Sequence, residues 1–171
     1  MRRCLLIVIL VLGLGLVGFG PGRARAQTGQ PLNLPCVTGT TVQPLTQAMP
    51  DDAAGQALVM LRLTIAPGGG FAPHTHPGTV TVYVESGTLD FTQLDDHPMQ
   101  VMRAASGATP AAAEPLTKGV ATTLHPGDWV VEPQMIHKAF NTGDAPTVVL
   151  VSGLVDPSQP FVQCVAGTPT P

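Results

Sequence analysis

The sequence from Gly68 to Gly87 reads GGGFAPHTHPGTVTVYVESG. Its second half, Thr79 to Ser86, is rich in β-branched and aromatic residues and predicts a strand. His74 and His76 stand one residue apart at the head of that strand. Because strand side chains alternate between two faces, both imidazoles are expected on the same face. Two imidazoles on one face form half of a metal site, and the other half should come from a distant strand.

The best candidate for a third metal ligand is His137, in the short predicted strand MIHKAFN. Neutral imidazole binds divalent iron, manganese, zinc and nickel well. The same alternation that pairs His74 with His76 continues along the strand. We therefore expect three further side chains on the histidine face, where they would line a cavity: Val80, Val82 and Val84.

Other short segments alternate in the same way. From Ala57 to Ala66 one face is fully apolar and should meet the core, and Pro67 to Gly70 is expected to end this strand in a tight turn. Further short strands follow, separated by Gly, Pro and Asp turns, and no helix pattern follows the N-terminal region. This pattern predicts an all-β sandwich or barrel.

The N-terminus has the pattern of an export signal. Arg2 and Arg3 precede an apolar run from Cys4 to Phe19, and Ala24-Arg-Ala26 resembles a cleavage site. We expect residues 1–26 to be a signal peptide, with the mature protein secreted or periplasmic. The alternative is an uncleaved N-terminal anchor. Either way, the rest of the chain would be exported.

The expected mature chain is acidic. It carries four basic residues against eleven acidic ones, a formal charge of −7. An acidic chain without a basic stripe argues against nucleic-acid binding and, after cleavage, against anionic membranes. Cleavage would also leave two cysteines, Cys36 and Cys164. An even pair in an oxidising compartment predicts a disulfide.

Two segments together resemble the cupins, a superfamily of small β-barrels. Gly68, His74, His76 and Gly87 match the first cupin motif. The second motif is matched by Gly127, Asp128, Pro133, His137 and Asn141. The resemblance implies a double-stranded β-helix, or jelly-roll barrel, over residues 57–155. Residues 27–56 would then be an irregular N-terminal arm, and 156–171 a C-terminal tail tied by the disulfide.

The cupin resemblance also implies a function. His74, His76 and His137 would hold a divalent Fe, Mn, Zn or Ni ion at the barrel mouth, with Asn141 nearby. Val80 stands where cupins place a carboxylate ligand, and we interpret Glu132 as a surface carboxylate. The protein would be a dioxygenase-type oxidoreductase acting on a small organic molecule. The alternative is a non-catalytic, metal-free cupin that binds a small ligand. A homodimer is a further expectation.

Overall fold

The computed structural model describes residues 29–31, 34–105 and 112–165. Every regular element in these ranges is a strand, so the expected all-β fold is confirmed. None of the described residues belongs to a helix long and apolar enough to cross a membrane. The expected signal peptide, residues 1–26, lies outside the described ranges.

The described residues form twelve strands of one antiparallel sheet, which curls into the expected barrel. They are β1 Gln30–Pro31, β2 Val37–Ala48, β3 Ala57–Thr75, β4 Gly78–Ser86, β5 Leu89–Gln93, β6 Gln100–Met102, β7 Ala113–Pro115, β8 Thr122–Leu124, β9 Trp129–Glu132, β10 His137–Phe140, β11 Thr147–Val155 and β12 Gln163–Cys164. The main path through the sheet runs β7-β6-β9-β4-β11-β3-β10-β5-β8.

The long strand β3 joins the two halves of the barrel. The turn expected at Pro67–Gly70 is wrong, because β3 continues through these residues to Thr75. Gly68 and Gly70 have φ angles of 72° and 151°, which a residue with a side chain adopts only at a cost. The glycines therefore bend the strand instead of ending it. Before the bend β3 pairs with β11, and after it with β10.

Alternating side chains of the strands fill the barrel interior. On β11, burial alternates residue by residue along the whole strand, and β4 follows the same rule through Val80, Val82 and Val84. Because the sheet curls around this face, valine, leucine and phenylalanine side chains from most strands meet in one core. This core supports the ends of β3, β9 and β10, where the polar residues of the site lie.

The N-terminal arm is less irregular than expected. Strand β2 is twelve residues long and pairs with β3 along most of its length, with register shifts next to Thr38 and Pro44. The sequence pattern is weak there because β2 is mostly half-buried or exposed beyond Thr40 and therefore carries few apolar residues. Pro44 also interrupts the hydrogen-bond ladder, because proline has no backbone N–H to donate.

The predicted disulfide between Cys36 and Cys164 is present. Cys36 immediately precedes β2, and Cys164 ends β12, which pairs with His74 and Thr75 of β3. The backbone amide of Ala72 also donates to the carbonyl of Cys36. The disulfide thus ties together two segments that flank the histidine-bearing end of β3.

Candidate metal centre

Three histidines converge at one end of the barrel. His74 lies in β3, His76 follows that strand, and His137 begins β10, where it pairs directly with His74. Their candidate ligand atoms all lie within 4.8 Å of one another. The rings are buried, with relative exposures of 3%, 5% and 2% respectively. The sequence pattern therefore identified three side chains that the fold brings together.

Hydrogen bonds set the proton position on each imidazole. The Nδ1 atoms lie 2.9 Å from the carbonyl oxygen of Ala72 for His74, and 2.7 Å from that of Phe161 for His76. For His137 the partner is the carbonyl of Met135, at 3.4 Å. A carbonyl can only accept, so each Nδ1 carries the proton and donates it. Each Nε2 atom is left with a lone pair, the form that binds a metal.

Phenylalanine rings hold the imidazoles in place. Phe91 stacks on His137, with ring centroids 5.2 Å apart and an interplanar angle of 20°. Phe161 packs on His76 at 4.9 Å, and Phe71 packs on His74 at 5.2 Å. Each histidine therefore has one backbone bond and one aromatic neighbour that restrict its rotation, as is usual around metal-binding histidines.

Glu132 is the residue that sequence reasoning missed. The expectation of a surface carboxylate is wrong, since Glu132 is 1% exposed. Its Oε2 atom lies 3.4 Å from Nε2 of His76 and 3.3 Å from Nε2 of His137. The alternation of side chains along β9 could have revealed this burial, because Glu132 shares its face of the strand with Val130, which is fully buried.

These short distances are not hydrogen bonds. Both Nε2 atoms carry lone pairs, and Oε2 of Glu132 has no hydrogen-bond donor among the described residues. Several electron-rich atoms therefore face one another without a proton between them. Such an arrangement is unfavourable when buried, unless a cation lies at its centre.

The pKa shifts describe the same charge distribution. Burial, reinforced by repulsion from His137 and His76, holds the pKa of His74 well below its usual value. Burial also lowers the pKa of His137, although Glu132 opposes this effect. Burial raises the pKa of the Glu132 carboxyl, but the interactions with His137 and His76 outweigh it and the net shift is downward. At neutral pH this gives neutral His74 and His137 rings beside a carboxylate.

A cavity of about 300 Å³ opens onto the four residues. Of the side chains expected to line it, Val82 does so. Val80 and Val84 are instead fully buried in the core, outside the cavity wall. Asn141 is also outside it, because its amide nitrogen donates to the carbonyl oxygens of Ile65 and Ala145. Asn141 therefore fixes the backbone next to the bend in β3.

The two remaining histidines lie outside the site. His97 has a side chain that is 51% exposed and lies 3.2 Å from Asp95. His125 is exposed in the turn before Gly127. Neither belongs to the cluster of candidate ligands found among the described residues.

The sequence matches the family model described as Cupin over residues 39–167. The chain belongs to the cupin family. Within this cupin, Val80 occupies the position at which the family motif places a carboxylate. Val80 and Glu132 are direct partners across the β4–β9 pair. The carboxylate therefore enters the site from the neighbouring strand, at the same level of the barrel.

Solved structures share the cupin fold. The polyketide cyclase RemF from Streptomyces resistomycificus is 18% identical, with a TM-score of 0.56 over 82% of this chain and 81% of that one. A cupin-like protein from Thermotoga maritima is 14% identical, with a TM-score of 0.53 over 80% and 84% of the two chains. No curated protein matches the sequence. At these identities the similarity establishes the fold alone.

Proposed function

We propose that this cupin binds one divalent transition-metal ion through His74, His76, His137 and Glu132. The proposal is carried by the convergence of imidazole lone pairs with a carboxylate oxygen that has no donor among the described residues. Three nitrogen donors and one oxygen donor suit Fe, Mn, Zn or Ni better than Mg or Ca, which prefer oxygen donors throughout. The hydrogen bonds from each Nδ1 keep the Nε2 atoms available.

We further propose an enzyme of the oxidoreductase type that acts on a small organic molecule, as some cupin dioxygenases do. The metal would supply Lewis acidity or redox chemistry in the cavity. The protein's part is to bind and orient the substrate and to exclude water, since apolar side chains form the rest of the wall.

Binding without catalysis is the second candidate function. Apart from the four proposed ligands, the described residues that line the cavity include no acid or base. Proton transfer would therefore depend on the ligands themselves or on the substrate. A module that captures a small molecule, with or without a metal, needs no such group.

Elemental analysis of protein purified from its native compartment tests the metal proposal directly. We expect about one transition-metal ion per chain, and loss of that ion in His76→Ala because one of four ligands is removed. His125→Ala is the matched control, since it removes an exposed histidine outside the site. Metal-free wild-type protein that neither rebinds added ions nor differs from His76→Ala would contradict the proposal.

Export is proposed on the combination of the leader pattern and the disulfide. Disulfides are typical of oxidising compartments. Mass spectrometry of the mature protein should find an N-terminus close to Gln27. A chain that retains Met1 and stays with the membrane fraction would favour the uncleaved anchor.

A homodimer is proposed as the form in solution. Four large apolar side chains are exposed on the outward face of the sheet, on β3, β4 and β9: Leu58, Met60, Tyr83 and Val131. Exposed apolar residues that adjoin one another are typical of association surfaces. Sedimentation should give twice the chain mass, and Met60→Glu should reduce it to that of one chain. A wild-type monomer would contradict this proposal without affecting the metal centre.

A further inference from the structure

The cavity next to the proposed metal centre has only one polar end. His74, His76, His137 and Glu132 form that end. Every other described side chain on the wall is apolar, including Leu63, Val82, Val149, Val151 and Phe161. A bound molecule can therefore make polar contacts only where the metal ligands lie.

An apolar wall discriminates strongly against polar ligands. Each hydroxyl or amide that a ligand buries here without a partner weakens its binding, because the group loses its hydrogen bonds to water. Sugars, amino acids and nucleotides carry several such groups. The wall supplies no arginine or lysine to pair with a remote carboxylate or phosphate. The charged and polyhydroxylated ligand classes are therefore disfavoured.

The polar end has its own charge requirement. A divalent ion held by three neutral imidazoles and one carboxylate carries one net positive charge. No charged side chain other than Glu132 lines the cavity among the described residues. Buried charge is costly unless it is paired. One anionic oxygen from the ligand would neutralise the remaining positive charge.

The size and the outer edge of the cavity limit the ligand further. A volume of about 300 Å³ lies at the small end of the range for ligand pockets. Pro160, Phe161 and Val162 of the C-terminal segment form part of the wall next to His76. Flat rings pack well against such aromatic and proline surfaces.

Given the proposed metal centre, on which this inference rests, we propose that the cavity binds a small apolar molecule of one or two rings. The molecule carries a single acidic oxygen that binds the metal. A phenolate or an enolate on an otherwise hydrocarbon body meets these conditions. The apolar body of the ligand determines how deeply the ligand enters the cavity. Its oxygen determines which end of the ligand faces His74, His76 and His137.

Calorimetric titration of zinc-loaded wild-type protein tests this ligand class. We would compare 2-naphthol, its capped form 2-methoxynaphthalene, and glucuronate, which carries an acid on a polyhydroxylated body. We expect 2-naphthol to bind at least tenfold more tightly than either of the other two. In cobalt-substituted protein, only 2-naphthol should shift the visible absorption bands, because only it places an anionic oxygen on the metal.

A pair of variants on one strand tests the location. Val151 lines the cavity, and Leu150 points to the opposite face of β11. Val151→Phe should weaken 2-naphthol binding at least tenfold by filling the cavity, while Leu150→Phe should leave it unchanged. Both should retain stoichiometric zinc. If Val151→Phe does not fold, the three-ligand comparison on wild-type protein still decides the proposal.

The outcomes separate the two proposals. Glucuronate binding as tightly as 2-naphthol, or equal affinity for the capped and uncapped naphthyl compounds, would overturn the ligand class while the metal centre stands. Failure of the wild-type protein to hold zinc, cobalt or another of the proposed ions would overturn the metal centre itself. Equal 2-naphthol binding by the two β11 variants would overturn the cavity as its location.

Discussion

At the scale of single residues, the site depends on where a few protons and charges lie. The Nδ1 atoms of the three histidines donate to backbone carbonyls, so each Nε2 atom keeps a lone pair, and those of His76 and His137 face Glu132. This arrangement is poor for the stability of the metal-free protein, because it buries a carboxylate oxygen, Oε2 of Glu132, without a donor among the described residues. It is favourable for a cation, which gains from each of the electron-rich atoms.

Glu132→Gln should separate metal binding from stability. Removing the buried negative charge should weaken metal affinity by about 10–100-fold, while the free energy of unfolding of the metal-free protein stays equal or rises. Competition with a coloured chelator measures the first, and urea unfolding in chelator measures the second. Glu85→Gln is the control, since Glu85 pairs with Arg62 away from the site. Unchanged metal affinity in Glu132→Gln would refute the assigned role.

A second carboxylate, Asp128, has a structural role in the turn before β9. Its oxygens accept from the backbone amides of His125 and Ala104 and from the guanidinium of Arg103. Burial raises the pKa of Asp128, but these hydrogen bonds outweigh it and the net shift is downward. The carboxylate therefore stabilises the fold above its unfolded pKa, and this contribution is lost as pH falls through the lower folded value.

Asp128→Asn should therefore destabilise the protein in a pH-dependent way. We expect a loss of about 1–3 kcal/mol at pH 7, because a charged acceptor is replaced by a neutral amide. The difference from wild type should shrink below about pH 4, where the wild-type carboxyl becomes protonated. Denaturant unfolding between pH 2 and pH 7 measures this. A difference that does not vary with pH would exclude the charge as the cause.

At the scale of elements, the histidine-bearing end of β3 is held from both sides. Strand β12 pairs with His74 and Thr75, and the segment before it provides the Phe161 carbonyl that accepts from His76. The disulfide ties this C-terminal segment to Cys36. The tail is therefore part of the site, since it orients one histidine and covers part of the cavity.

The double variant Cys36→Ser/Cys164→Ser should affect both stability and metal affinity. Opening a link across 128 residues should cost about 4–5 kcal/mol on the chain-entropy model. Metal affinity should fall about tenfold, because a loosened tail no longer fixes His76. Hydrogen exchange should show lost protection at Gln163 but not at Val151 in the middle of β11. Retained protection at Gln163 would show that the tail docks without the disulfide.

At the scale of the whole molecule, the proposed ligands connect distant parts of the chain. They come from the end of β3, the end of β9 and the start of β10. A metal ion bound there links β3 to β9 and β10, which lie far from β3 in the sequence. Since such a site does not exist in the unfolded chain, the free energy of metal binding adds to the stability of the fold.

Metal addition should therefore raise the stability of the intact protein. At a free concentration of zinc or manganese one hundred times the dissociation constant, the free energy of unfolding should rise by about 2.7 kcal/mol. Denaturant unfolding with and without metal measures the increase. His76→Ala should lose most of it, whereas His125→Ala should keep it. An equal increase in both variants would indicate metal binding elsewhere on the chain.

The all-β class, the disulfide partners and the three converging histidines could all be predicted from the sequence. Those features follow from local rules: strand side chains alternate, glycine and proline interrupt strands, and the spacing of the two motifs is typical of cupins. The same rules could not show that β3 continues through its glycines, because a bend and a turn have the same composition.

The place of Glu132 in the proposed site, in the role expected of a residue at position 80, follows from the pairing of strands. Which strand lies beside β4 is a long-range property, and the sequence pattern of β9 alone does not reveal it. Once β4 and β9 pair, Glu132 stands directly opposite Val80 and points to the same interior face. A carboxylate can thus reach one point in a barrel from either of two neighbouring strands, because paired residues share a face.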